Sequence, residues 1–435
     1  LAAAGRAAVD ITEVVLHDSS AARLEAIGRV IAERARQLTD PPKLRVTTDL
    51  RDSLVGADFV FAAIRVGGSA GRIIDERVAL DYGLLGQETV GPGGLAYALR
   101  TVPVMRRVAE TIAEVAPEAW TINFTNPAGI VTQAMAAVLG ERVVGICDTP
   151  IGLVRRVSRL LGVSLEHDHD RVAYDYVGLN HLGWLRSVSV DGVDRLPGLL
   201  ASDDALEHVE EARLLGKAWV RAMGALPNEY LYYYWKTDEA IGNIRAAAQT
   251  RGQYLDVQQG RFYDAAACCD SPLGLWHDAL HEREATYMAE ARAADEARHD
   301  EDVAGGGYQE VALRLMTALA TGQPERMILD VANGRDTGRI IPELPDDVVV
   351  EVGCVADGRG VHPIPIAPLT LHQLGQMSSL RASEQAIAEA ALTGSRDKAW
   401  AGFSIHPLVA SPRLGKSLLD GYAAAHPSIA ALLGP

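Results

Sequence analysis

From Ile11 onward the apolar positions alternate between two periods. Thr12-Glu13-Val14-Val15-Leu16 is a β-branched run ending at His17-Asp18. Ser19 or Ser20 then caps a stretch whose apolar residues Leu24, Ile27, Val30 and Ile31 recur at helical spacing. Leu44 to Thr47 and Asp58 to Ile64 read as two further strands. After a glycine-rich loop come a long amphipathic helix through Val104 and Val108 to about Val115, a strand from Trp120 to Phe124, a helix from Ile130 to Leu139 and a strand from Val143 to Cys147. Continuous apolar strands alternating with helices predict a parallel sheet covered on both faces. This is the α/β, Rossmann-like, doubly wound nucleotide-binding architecture.

In that architecture a Gly-x-Gly-x-x-Gly turn follows the first strand, and an acidic residue about 20 positions on holds the adenosine ribose. Asp18 has the look of that acid. Counting back puts the glycine turn at or before Leu1, so the first strand and its phosphate-cradling loop are expected to be missing, with the chain opening inside the first helix. Asp18 is equally suited to capping a helix beside Ser19; the surrounding strand–helix repeat favours the ribose.

Past about Pro150 the pattern changes. Acidic, alanine-rich helical stretches run from Asp203 to Ala225 and from Trp276 to Arg298. A β-rich segment follows, Met327 to Val331 and Val348 to Val355, and the C-terminus is helical again. There is no internal repeat and no low-complexity linker. The expected organisation is a dinucleotide-binding domain over residues 1–150 and an α+β catalytic, substrate and oligomerisation domain over 151–435.

Composition narrows the function classes. With 48% hydrophobic and 23% charged residues the chain is an ordinary globular protein. A formal charge of -16, from 41 basic and 57 acidic side chains, repels phosphate backbones and argues against a nucleic-acid binder, though not against one local arginine pocket. Four scattered cysteines suit a reducing, cytoplasmic compartment. No apolar run is long enough for a bilayer, and the opening Leu1 to Val9 lacks the pattern of a signal peptide.

Candidate chemistry gathers at predicted strand ends, where open α/β sheets bind ligands. Cys147-Asp148 ends one strand, and His181 follows the strand-like run from Val172. A thiolate and an imidazole suit zinc, manganese, iron or cobalt, and two protein ligands leave room for substrate oxygens. Taken singly, Cys147 is as readily a small buried hydrophobe and His181 a core histidine. Asn123 and Asn126 flank another strand end and can grip sugar hydroxyls, but Asn126-Pro127 is also an ordinary turn. Gly67, Gly68 and Gly71 lead to Arg72, and Gly91, Gly93 and Gly94 precede Arg100, an arrangement that lets backbone and guanidinium approach an anion. Tyr230, Tyr233 and Tyr234 are spaced for one helical face and read as core, interface or catalytic tyrosine. Arg251 can meet a phosphate or a surface carboxylate. His167-Asp168-His169-Asp170 reads as a solvated turn, and vicinal Cys268-Cys269 as packing residues.

Together these motifs resemble glycoside hydrolase family four, the NAD- and metal-dependent phospho-glycosidases. The matching segments are Arg-Val-Gly-Gly with Arg72 downstream, Gly86 to Arg100, Asn123 to Gly129, Gly-Ile-Cys-Asp-Thr-Pro-Ile-Gly, Gly-Leu-Asn-His, Leu-Pro-Asn-Glu-Tyr-Leu and Val-Glu-Val-Gly-Cys near Cys354, in family order over nearly the whole chain. The resemblance implies a lactate/malate-dehydrogenase-like fold, NAD and a divalent metal, typically Mn2+. By it, Cys147 and His181 hold the metal, and Tyr230 is the base with Glu88 raising its basicity. Asp148 is the proton donor, Arg72, Asn126 and Arg251 bind substrate, and the assembly is a dimer or tetramer. The wording is closest to 6-phospho-β-glucosidases; Asp148 after the metal-binding Cys, where many β-acting members carry Asn and α-acting members often have Asp, keeps 6-phospho-α-glucosidase as the alternative.

Most glycosidases work with two carboxylates, and this family is an exception. A nicotinamide takes hydride from carbon 3 of the sugar, and the resulting ketone acidifies the proton on carbon 2. A tyrosine of lowered pKa removes that proton, with the metal as Lewis acid. The group on carbon 1 leaves, water adds, and the hydride returns. Two rival expectations are a 2-hydroxy-acid dehydrogenase, against which the Cys147/His181 pair argues, and an inactive sugar-phosphate-binding protein without a cofactor loop.

Overall fold

The computed structural model describes residues 9–165, 167–168, 170–292, 296–299, 303, 307–335 and 338–434. Within them the strands are β1 (Glu13–His17), β2 (Lys43–Thr47), β3 (Phe59–Ala62), β4 (Trp120–Asn123), β5 (Val143–Gly145), β6 (Val172–Leu179), β7 (Leu182–Val190), β8 (Val193–Asp194), β9 (Leu226–Pro227), β10 (Glu325–Ala332), β11 (Gly334–Arg335), β12 (Gly338–Arg339), β13 (Val349–Asp357) and β14 (Gly360–Pro363). The chain opening and His169 lie outside the described residues.

β1 and β2 pair in parallel as a sheet of their own, and β3, β4 and β5 form a second parallel set. This is the split that the doubly wound order 3-2-1-4-5-6 gives when its first strand is not among the described residues. β4 and β5 are almost wholly buried, as a sheet covered on both faces should be; β1 and β2 are only half-buried. The second set does not stop at the first domain. Asp330 of β10 pairs antiparallel with Gly145 of β5, and the order continues β10-β13-β6-β7-β8. One apolar core therefore runs from Ile122 and Val144 through Val177 and Leu185 to Leu329 and Val352.

Local chemistry sets most boundaries. Ser20 caps the helix Ala21–Ala35 by accepting from the Arg23 amide. Pro92 opens the helix Pro92–Val115, where its missing N–H costs nothing. Three expectations change. The loop at Gly68 is the start of a helix, Gly68–Asp81. The stretch from Asp203 breaks into Asp203–Glu207, Glu210–Leu215 and Lys217–Met223, the last two separated by Gly216 at φ +94. The helix from Pro272 ends at Ala285, short of Arg298, and Met288 already has φ +49.

Candidate active site

Four strand ends, those of β3 to β6, and two helices deliver polar side chains to one cavity of about 1850 Å3. Its walls include Arg65, Arg72, Glu88, Asn126, Asp148, His181, Tyr230 and Arg251, so seven of the nine residues singled out above, all but Cys147 and Asp18, line one space.

β5 leads straight into Cys147 and Asp148. Cys147 is buried, its Sγ 3.4 Å from Thr149 Oγ1. Burial pushes its thiol well above the usual range, and Glu351 and Asp148 push the same way. Asp148 starts the helix Thr149–Leu160 without spending its side chain on a cap, which leaves the carboxyl facing the cavity. Burial, then the charge of Glu284, raises it to about 6, so the carboxyl keeps its proton well above the pH at which an ordinary aspartate loses it.

β6 and β7 are joined by a tight turn at Asn180-His181, with His181 at φ +66. A non-glycine residue in that region carries strain, which in folded proteins concentrates at functional sites. Burial lowers the imidazole to about 3, so it is a neutral nitrogen donor. β9 pairs with β7, the Asn228 amide donates to Gly183 O at 2.8 Å, and Asn228 Oδ1 accepts from the Tyr230 amide at 3.0 Å. These bonds set the Tyr230 ring flat on His181, centroids 3.7 Å apart and planes within 6°. Tyr233 also lines the cavity but Tyr234 does not, because Glu229–Leu231 is a 3-10 turn and breaks the single helical face. Burial pushes the Tyr230 phenol well above its ordinary value, and only the hydrogen bond with Tyr287 pulls it down. The lowered tyrosine pKa expected from the chemistry is therefore not a property of the protein groups; a nearby cation is needed to supply it.

Asn126 faces the cavity with its Oδ1 buried and, among the described residues, without a hydrogen-bond partner, as a group that receives a ligand hydroxyl would be. Asn123 does not: it is fully buried, donating to Thr125 O and Thr132 Oγ1, and it holds the loop after β4. Glu88 bridges Arg65 at 2.5 Å and Arg72 at 2.7 Å. Burial alone would raise it, but the two guanidiniums hold it down at about 2.

Arg72 is thus already paired, with Glu88 and, at 2.7 Å, with Glu76. Arg251 is not. It opens the helix Arg251–Cys268, whose start is fixed by a capping box at Thr250 and by Glu76 accepting from the Gly252 amide. A Cβ at 252 would lie 2.7 Å from Glu76, so the approach requires glycine. Arg251 donates to Thr286 Oγ1 and Arg283 O, and no carboxylate pairs with it among the described residues. Burial, with the charge of Arg72, lowers its pKa. A half-buried guanidinium among like charges is a ready anion site.

Asp18 lies just past β1, outside the cavity walls, with Oδ1 accepting from the Ser20 amide at 2.7 Å. Arg100 is not an anion ligand: it is buried, bidentate to Asp75 at 2.6 and 2.7 Å, and the glycines at 67 and 71 make room for it. Gly93 and Gly94 pack against the carbonyls of Gln87 and Thr89. Cys268 is exposed and Cys269 half-buried, so they are not packing residues. The sequence reading missed Arg65, Arg283, Glu229 and Tyr287. Arg65 and Glu229 stood inside quoted motifs; Arg283 and Tyr287 sit in helical, polar sequence that carries no motif.

Of the two sequence-predicted cation ligands, the neutral imidazole of His181 lines the cavity, while the Cys147 thiol is buried and does not line it. Both bear on Tyr230, His181 by stacking and Cys147 through its charge. Among the described residues no third His, Cys, Asp or Glu joins them in a cluster able to hold a metal alone. Such a pair fits a borderline divalent ion whose remaining positions go to substrate oxygens.

Comparison with known proteins gives the same direction. The family described as "Family 4 glycosyl hydrolase" matches residues 4–163, and its C-terminal domain matches residues 176–409. A probable 6-phospho-β-glucosidase of Bacillus subtilis is 32% identical over 93% of this chain and 87% of its own. A maltose-6'-phosphate glucosidase of the same organism is 27% identical over 94% of this chain and 88% of its own. A crystal structure of a 6-phospho-α-glucosidase from gut microorganisms, in complex with NAD and Mn2+, superposes with a TM-score of 0.78 at 26% identity, covering 96% of this chain and 92% of that one.

Proposed function

The chain belongs to the family 4 glycosyl hydrolases, and from that premise we propose that it hydrolyses 6-phospho-glucosides, with NAD and Mn2+ as cofactors and β-glucosides as the preferred substrates. The observation that carries this reading is the convergence of His181, Tyr230, Asp148, Asn126 and Arg251 on one cavity. No helix among the described residues is long and apolar enough to cross a membrane. The need for a reduced thiol at Cys147 favours a cytoplasmic enzyme.

NAD, when bound, would supply a hydride acceptor for the sugar, and a bound divalent cation would supply Lewis acidity beside it. Cys147 and His181 are the residues to hold the cation, and Asp18 the one to meet the ribose. Arg251 anchors the phosphate on carbon 6, with Arg72 and Arg65 fixed behind it by Glu88. That anchor and the Asn126 Oδ1 orient the ring, turning proton removal into an intramolecular event. Tyr230, beside the cation ligands, takes the proton from carbon 2. Asp148, which keeps its proton up to about pH 6, gives it to the leaving oxygen on carbon 1.

A second reading, preference for the α-anomer, is favoured by the similarity to the 6-phospho-α-glucosidase structure at 26% identity. Rates on paired α and β nitrophenyl 6-phosphoglucosides separate the two. The chemistry is tested by turnover with NAD, Mn2+ and reductant each withheld in turn. Activity that survives every omission overturns the redox route, and NADH that accumulates with malate or lactate supports a dehydrogenase instead.

A further inference from the structure

Glu351 is a buried carboxylate that the chemistry above does not use, and its hydrogen bonds lead to every fixed point of the proposed cation centre. It sits in the middle of β13, opposite Gly178 of β6 and Asp330 of β10, 1% exposed. Its two oxygens do different things. Oε1 accepts from Asn180 Nδ2 at 3.3 Å, and Asn180 is the other half of the strained turn that presents His181. Oε2 accepts from the Tyr176 hydroxyl at 2.9 Å. That hydroxyl receives Asn228 Nδ2 at 3.3 Å, and the same amide donates to Thr149 Oγ1 at 2.9 Å. Thr149 Oγ1 lies 3.4 Å from Cys147 Sγ, while Asn228 Oδ1 holds the Tyr230 amide.

The fold keeps this route tight. A Cβ at Gly183 would meet the Tyr176 hydroxyl at 2.3 Å, and one at Gly178 would meet the backbone of Gly183 at 2.3 Å, so both strands are bare where the phenol passes. Asp330, the cross-strand neighbour, shows the contrast: among the described residues neither of its oxygens has a hydrogen-bond partner.

We propose that Glu351 is a positioning residue for the cation centre, holding the His181 turn through Asn180 and the Cys147 thiol and Tyr230 backbone through Tyr176, Asn228 and Thr149. The inference rests on the reading that Cys147 and His181 hold the divalent ion. A cation held by only two protein ligands depends heavily on their relative placement, because no further side chain corrects an error. Groups behind metal ligands are worth roughly 10–100-fold in metal affinity.

The test is binding of Mn2+ to the full-length protein with NAD present, read from the free-ion signal in electron paramagnetic resonance. The near-ultraviolet thiolate band of the Co2+-substituted protein is a second readout. Cys147→Ser, Glu351→Gln, Glu351→Ala and Tyr176→Phe are compared with wild type, with NAD affinity and Tm followed alongside. Expected is a loss of Mn2+ affinity of about tenfold or more for Glu351→Ala and Tyr176→Phe, a smaller loss for Glu351→Gln, and a weakened or shifted cobalt band, with NAD affinity unchanged. Tyr176→Phe keeps the shape of the core, so it decides the matter if the Glu351 variants do not fold. Folded Tyr176→Phe with wild-type Mn2+ affinity and an unaltered cobalt band overturns the proposal. If Cys147→Ser itself binds Mn2+ as wild type does, the cation-site reading has failed instead.

Discussion

Asp148 is held at about 6 against an ordinary value of 3.8, mainly by burial and then by Glu284. A proton donor poised in this way costs stability, and the sign is fixed. The folded state keeps the proton that the unfolded chain gives up, so folding stability falls as pH rises from 3.8 through 6 and the full cost is present above that. A rise from 3.8 to about 6 corresponds to at most about 3 kcal/mol. Asp148→Asn removes the charge and keeps the shape. The variant should therefore be more stable than wild type by up to about 3 kcal/mol at pH 8 and by about half that at pH 5, where the unfolded carboxyl is ionised and the folded one is not. Urea unfolding of the metal-free protein at the two pH values measures this. The same variant should lose hydrolysis of alkyl 6-phosphoglucosides while retaining most of its rate on nitrophenyl ones, whose leaving group needs no proton. A stability gain equal at both pH values, or equal rate losses on both substrates, would refute the assignment of a neutral, donating Asp148.

Arg251→Met should raise KM for 6-phosphoglucosides by roughly ten- to a hundredfold, the worth of one or two charge-assisted bonds, with little change on Tm; an unchanged KM would move the phosphate elsewhere. Cys147→Ala should abolish both turnover and its dependence on added Mn2+, and a variant of normal rate would remove Cys147 from the centre. Asp75→Ala leaves Arg100 buried and uncompensated beside His426, and should destabilise the protein by about 3–5 kcal/mol by urea unfolding.

Much of the site was legible because its residues sit where strand period gives way to turn. Cys147-Asp148 follows β5, Asn126 follows β4, and His181 occupies the β6–β7 turn. A strand end is visible as the end of an apolar run, and in an open α/β sheet it is also where ligands bind, so one signal reports both. Arg251 stood next to a helix cap, a further local signal. Arg283 and Tyr287 were invisible, since nothing in the sequence of a polar helix or of the turn after it tells which residues face a cavity.

What the sequence determined by itself was local: strand and helix positions in the first 150 residues, and the identities of the groups able to bind a cation, an anion or a proton. Period and side-chain chemistry are properties of neighbours along the chain. Only the tertiary structure decided which of those groups are already spent. It gave Arg100 to Asp75 and Arg72 to two glutamates, left Arg251 with no carboxylate among the described residues, and turned Asn123 into the core but Asn126 toward the cavity. It also carried the parallel sheet through β5 into the antiparallel strands that bring Glu351 behind Cys147 and His181. Charge pairing and burial depend on contacts across hundreds of residues, and those exist only once the chain has closed on itself.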